Sequence, residues 1–142
     1  TWGTLVAVPV AWAISGLSTG LEILVCLGLI VVAIPVCDIG ERLLMRTDDG
    51  RITLDEFVTF PLCIVGLPVR EHWGLLVLAF VVHRLLDIIK PAPAAQAQSL
   101  QGGLGIVADD VISSLYALAL NWIVFEALRH AGLASELACV WV

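Results

Sequence analysis

Residues 23–36 read Ile-Leu-Val-Cys-Leu-Gly-Leu-Ile-Val-Val-Ala-Ile-Pro-Val, fourteen in succession without a charge. With its flanks this run reaches the roughly 20 residues a helix needs to cross a hydrocarbon core of about 30 Å. Four more apolar stretches lie around it, at about 5–17, 57–67, 73–89 and 106–128. The stretches at 73–89 and 106–128 also reach spanning length with their flanks. Those at 5–17 and 57–67 are short, which fits tilted, re-entrant or packed segments. No stretch alternates apolar with polar residues at period two, which disfavours a membrane β-barrel. The expected fold is an all-α membrane bundle of about five short helices, forming a single domain over residues 1–142.

Composition agrees. Hydrophobic residues are 60% of the 142 and charged residues 14%, against roughly 45–50% and about 25% in soluble domains. A soluble chain this small could not bury so much apolar surface. The net charge of -6 argues against nucleic acid, whose phosphates need a basic face. Cys26, Cys37, Cys63 and Cys139 show no zinc-type spacing and read as small packing residues. The chain opens at Thr1 inside what reads as a running motif, so residues before it are expected to be missing.

The charge is concentrated in the connectors. Residues 38–54 and 90–105 fall on the same side if the helices alternate, and the N-terminus falls there too. That side carries Arg42, Arg46, Arg51, Arg84 and Lys90, against Arg70 and Arg129 opposite. Such a basic bias places it in the cytoplasm. Three clusters gather there. Asp48, Asp49 and Arg51 precede Asp55 and Glu56, which abut the apolar Phe57-Val58. Carboxylates at that depth are costly and mark function, although a solvated turn and helix cap would use the same residues. In the second cluster His83, Arg84, Asp87 and Lys90 have helical spacing that lets Arg84 and Lys90 pair with Asp87 before Pro91 stops the helix. A snorkelling helix end explains it equally well, and a lone His83 is more commonly packed than ligating. In the third, Gly102, Gly103 and Gly105 lead into Asp109 and Asp110. Glycine amides at a helix start can cradle phosphate. The two carboxylates make sense there only with a cation between them and the phosphate. So many oxygen donors favour Mg²⁺ or Mn²⁺, and the reading from residues alone is a metal-dependent site for a phosphorylated membrane substrate. A cysteine phosphatase loop is excluded, since Cys63 and Arg70 have six residues between them rather than five.

In order along the chain, four segments resemble the phosphatidylglycerophosphatase A family. Thr1 to Leu5 with Pro9 is similar to the tail of its first motif, and Asp49 to Val58 to its acidic segment. Arg84-Leu85-Leu86-Asp87-Ile88-Ile89-Lys90-Pro91-Ala92-Pro93 resembles its Arg-x-x-Asp-x-x-Lys-Pro-x-Pro motif. Residues 102–110 resemble its Gly-Gly-x-Gly-(x)3-Asp-Asp motif. The resemblance implies a Mg²⁺-dependent phosphatase of the bacterial plasma membrane, multi-pass, with its site on the cytoplasmic side. Its reaction would convert phosphatidylglycerophosphate to phosphatidylglycerol and phosphate. Carried over residue by residue, Asp55, Glu56, Asp109 and Asp110 would serve as metal ligands or base, with Asp49 and Asp87 as further ligands. Arg51, Arg84, Lys90, Gly102 and Gly103 would bind the phosphate. The chain departs from the family's pattern at Thr59 (usually Gly), at Ser113-Ser114 (usually Ala-Gly) and in the lost start of the first motif. Two other readings stay open: a phosphatase of another lipid phosphate, and a silent structural or ion-conducting protein.

Overall fold

The computed structural model describes residues 2–45 and 52–133. Helix α1 (Trp2–Ile14) is followed by α2 (Thr19–Leu44) and α3 (Leu54–Thr59). A 3-10 helix (Phe60–Ile64) continues from α3. Then come α4 (Gly74–Ile89), the single turn α5 (Ala94–Ala97) and α6 (Gly103–His130). No strand occurs among the described residues.

Each expected apolar stretch contains a helix, but two run longer than the apolar residues alone. Helix α2 continues through Asp38–Leu44, a segment whose charges mark it as a connector in the sequence. Glu, Arg and Leu are good helix formers, and Asp38 pairs with Arg42 one turn on at 2.8 Å. Met45 ends the helix in the left-handed conformation, its amide returning to Glu41 and Arg42. The stretch at 57–67 is broken instead of lengthened. Its α-helix gives way to 3-10 geometry at Phe60-Pro61, where proline has no amide to donate.

Contacts at the helix ends fix the relative direction of the longer helices. Thr4 of α1 meets Glu56 of α3, and Asp38 of α2 meets Gly103 of α6. Lys90 after α4 meets Asp109 of α6. These pairs share one end of the bundle. At the other end, Arg70 binds the last carbonyls of α1 and stacks on Trp12. There Glu22 accepts the Gly66 amide at 2.7 Å, and Trp122 donates to the Val65 carbonyl. Helices α1, α2, α4 and α6 therefore run up and down in the bundle, and the start of α1 lies with the charged connectors.

Helix α6 is the hub, packed on α4, on α2 and on the 3-10 segment. One core joins Ala7, Phe60, Leu75, Ala79 and Ala117; a second joins Ala33, Cys37, Val58 and Ile106. The outward faces are apolar as well: Leu24, Val31, Val32 and Leu43 of α2 are all more than 60% exposed. Helices α2 and α6 are long and apolar enough to cross a membrane, yet only 17% and 28% of their apolar windows are buried in the molecule. A soluble core helix would be mostly buried. Apolar sides facing outward, with backbone groups satisfied within helices, are what a bilayer demands. The protein is a helical membrane bundle.

Candidate active site

Helix α3 starts at Leu54, and Asp55 and Glu56 occupy its first turn, where the helix dipole favours negative charge. Asp55 is buried. Thr59, one turn on, is wholly buried and donates its hydroxyl to the Asp55 carbonyl at 2.7 Å. The threonine that replaces the family's glycine thus braces the turn carrying Asp55. Glu56 turns toward α1, where its Oε2 accepts the Thr4 amide at 3.3 Å and the Thr4 hydroxyl at 3.2 Å. A Cβ on Gly3 would stand 2.3 Å from the Thr53 carbonyl oxygen. Only glycine lets α1 come this close.

Arg84, on the last turns of α4, donates to Glu56 Oε1 at 2.9 Å and to Asp87. The Arg84–Asp87 pair is the one the helical spacing anticipates. The expected Asp87–Lys90 pair is not what the structure shows. The helix ends at Ile89, and Lys90 adopts φ 44, ψ 65, a left-handed conformation. Pro91 disfavours helical backbone at the residue before it. Lys90 is thereby swung off the α4 face, and its ammonium binds Asp109 on α6.

Asp109 and Asp110 lie one to two turns into α6 and are only 2% and 3% exposed. Asp109 Oδ1 accepts the Asp110 amide at 3.0 Å. Asp110 Oδ2 has no hydrogen-bond partner, while Asp55, Asp87 and Asp109 all lie within electrostatic range of it. One turn deeper, Ser113 and Ser114 are fully buried with hydroxyls that also lack hydrogen-bond partners.

Gly102 and Gly103 sit against α2. A Cβ on Gly103 would meet the Ile34 carbonyl oxygen at 2.0 Å, and one on Gly102 would meet Asp38 Oδ1 at 2.3 Å. Gly102 also has φ 70, which glycine tolerates at little cost. The Gly103 amide points to Asp38 Oδ1 at 3.4 Å. These glycines therefore have a packing reason to be glycine. His83 is completely buried, edge-on to Phe60 at 5.7 Å, with neither ring nitrogen hydrogen-bonded. It is a packed residue in this structure. Asp48, Asp49 and Arg51 lie outside the described residues.

Two contacts are invisible in the sequence: that of Thr4, within the first-motif segment, with Glu56, and that of Asp38 with the start of α6. Each partner is more than fifty residues away, and no local pattern marks such a pair. Asp38's spacing to Arg42 is the only trace.

The site thus brings Asp55, Glu56, Asp87, Asp109 and Asp110 together with Arg84 and Lys90 at one end of the bundle. Among the described residues no three acidic, His or Cys side chains stand around one metal position. Glu56, Asp87 and Asp109 are turned to Arg84 and Lys90 instead. The donor chemistry nevertheless suits a hard divalent ion, since all the acidic donors are oxygens. The buried Asp110 Oδ2 is a donor position still to be satisfied.

The family model described as Phosphatidylglycerophosphatase A matches residues 1–125. Phosphatidylglycerophosphatase A of Escherichia coli is 29% identical over 129 residues, covering 86% of this chain and 74% of that protein. A protein of the same name in Haemophilus influenzae is 36% identical over 72 residues, covering 50% of this chain and 44% of that protein. A Bacteroides thetaiotaomicron protein, provisionally named a phosphatidylinositol-3-phosphatase, is 29% identical over 82 residues, covering 54% of this chain and 52% of its own length. The matches to the last two thus span about half of those relatives. No solved structure matches the chain. With its matched motifs gathered at one end of the bundle, the chain belongs to the phosphatidylglycerophosphatase A family, and with it to the hydrolases of phosphate monoesters.

Proposed function

We propose that the protein hydrolyses phosphatidylglycerophosphate to phosphatidylglycerol and phosphate, using Mg²⁺, at a site facing the cytoplasm. One observation carries the reading. The two cations suited to a phosphoryl group, Arg84 and Lys90, sit directly on carboxylates suited to a divalent ion, the half-buried Glu56 and Asp87 and the buried Asp109. Arg84 is held from two sides by Glu56 and Asp87, so its guanidinium is oriented before substrate arrives. Lys90, just past the end of the same helix, brings a second positive charge. Asp55, Asp109 and Asp110 would hold the ion, and one of this group accepts a proton from the attacking water. Bound Mg²⁺ would offset phosphoryl charge and acidify a water. In the reaction the water oxygen goes to phosphorus, the bond from phosphorus to the glycerol oxygen breaks, and that oxygen takes up the proton. Arg42, Arg84 and Lys90 lie at the site end and Arg70 and Arg129 at the other, which supports the cytoplasmic placement.

The relative named for a phosphatidylinositol phosphate favours one second reading, a different lipid phosphate. Ion conduction has little support: the buried acids Asp55, Asp109 and Asp110 cluster at one end, and the buried Glu22 at the other is bound to the Gly66 amide. The test is phosphate release from a panel of lipid phosphates, with Mg²⁺ or EDTA. Fastest release from phosphatidylglycerophosphate, lost in EDTA and reduced at least ~100-fold by Asp109→Asn, is expected. Equal rates in EDTA would remove the metal, and a faster rate on another lipid would change the substrate.

A further inference from the structure

We propose that one acyl chain of the lipid substrate lies in the groove between α1 and α4, and that this seat holds the lipid's phosphate end over Arg84. The inference rests on the site reading above and adds the surface by which the lipid is held.

The groove is lined by Leu5 and Val8 of α1, by Trp73 at the start of α4 and by Leu76, Val77 and Phe80 within it, and its volume is about 310 Å³. Ligand-sized clefts begin at roughly 300 Å³. Its floor is firm: Leu76 is buried, and Phe80 packs edge-on against the core ring of Phe60 at 6.3 Å. Its rims face outward, with Leu5 50% and Val77 52% exposed. Steps of four, three and four residues separate Trp73, Val77, Phe80 and Arg84, so the groove and the guanidinium share one face of α4. On the facing wall Thr4 precedes Leu5; Thr4 binds Glu56, and Glu56 binds Arg84. The apolar trough thus runs up to the charged site from both helices. A molecule with a long apolar chain at one end and a phosphate at the other has the matching order of parts. The chain gains little by leaving other chains for this groove, because lipid tails are as apolar as leucine. What the groove supplies is position: a chain seated there fixes the rest of the lipid relative to Arg84, and orientation is a large source of rate.

The experiment uses the full chain in detergent micelles. Val77 lies about 10 Å along α4 from Arg84, so a palmitoyl chain in the groove passes it and a butanoyl chain ends short of it. Val77→Trp narrows the groove. It is expected to slow phosphate release from dipalmitoyl phosphatidylglycerophosphate by roughly 10-fold or more, and to leave release from the dibutanoyl lipid unchanged. Val32→Trp, on the outward face of α2, is expected to change neither. Should Val77→Trp not melt cooperatively, Leu5→Trp makes the same comparison from the other wall. Equal slowing for both chain lengths, or for neither, would overturn the groove; with the parent still releasing phosphate, the catalytic reading would stand. A second readout is independent of turnover. Phosphatidic acid carrying a diazirine near the end of one chain is expected to label the groove residues of α1 or α4 on illumination. Excess dipalmitoyl phosphatidylglycerophosphate is expected to remove that label, and excess phosphatidylcholine to leave it. Removal by both lipids alike would mark bulk lipid and overturn the proposal. So would absence of label there, the result if another part of the chain or a second copy fills the groove. Selective labelling in a parent that releases phosphate from no lipid would leave the groove as a lipid-phosphate seat and end the catalytic reading.

Discussion

Lys90 shows how a single backbone angle sets the chemistry. At φ 44 it lies where residues other than glycine are uncommon, a conformation costing about 1–3 kcal/mol. The surroundings maintain it because it brings the ammonium to Asp109. Lys90→Gly should therefore melt at the same temperature as the parent or higher, although it loses an ion pair. Its phosphate release should fall by at least ~100-fold, the scale for removing one stabilising donor. A lowered melting temperature with normal turnover would contradict both halves. At this scale the motif of Arg84, Asp87 and Lys90 was legible, and so was the Arg84–Asp87 pair, because spacing along a helix determines it. Pro91 marked the helix end as well, but that Lys90 finds a residue nineteen positions away was not legible, since the α4–α6 contact is set by tertiary packing.

Among the elements, the crossing of α2 and α6 decides where Asp109 and Asp110 stand. The crossing is as close as it is because Gly103 has no side chain. Gly103→Ala should force α6 away from Ile34 and destabilise the protein by about 1–3 kcal/mol or more, the cost of overpacking. It should also abolish phosphate release. Gly28→Ala is the control within the same bundle: a Cβ there meets nothing within 4 Å. That change should be neutral or stabilising by up to ~1 kcal/mol through helix propensity, with activity retained. Thermal melts in detergent and phosphate assays on both variants check the pair. The glycines read from sequence as a phosphate cradle, because an amide-rich turn at a helix start has the same composition as a close helix contact. Apolar runs located the helices well. They could not show α2 continuing through its charged turns or the break at Pro61, since hydrophobicity tracks burial and lipid contact and is blind to caps and local hydrogen bonding.

For the whole molecule, the sequence reading brings the three charged clusters to one end on the condition that the helices alternate in direction, and the contacts at the helix ends meet that condition. The alternation makes a topological prediction. Gln101 at the site end and Ala131 after α6 are both exposed. Cys26, Cys37 and Cys63 are buried, so replacing Cys139 alone leaves a suitable background. A membrane-impermeant thiol reagent should label Gln101→Cys from the cytoplasmic side and Ala131→Cys from the opposite side. Labelling of both from one side would rule out an odd number of crossings.

The passes are unequal in length. At about 1.5 Å per residue, the 16 residues of α4 extend some 24 Å, while α2 and α6, with 26 and 28 residues, extend roughly 40 Å. A hydrocarbon core of about 30 Å does not match both sets, and lipids adjust to a short segment by thinning. If α4 crosses, a bilayer that thins to meet it would dip beside that helix. Arg84 and the turn after α4 would then stand at the bottom of a dimple into which neighbouring phospholipids carry their headgroups. On the proposed activity, that deformation would bring a lipid phosphate toward Arg84 without lifting the lipid out of its layer.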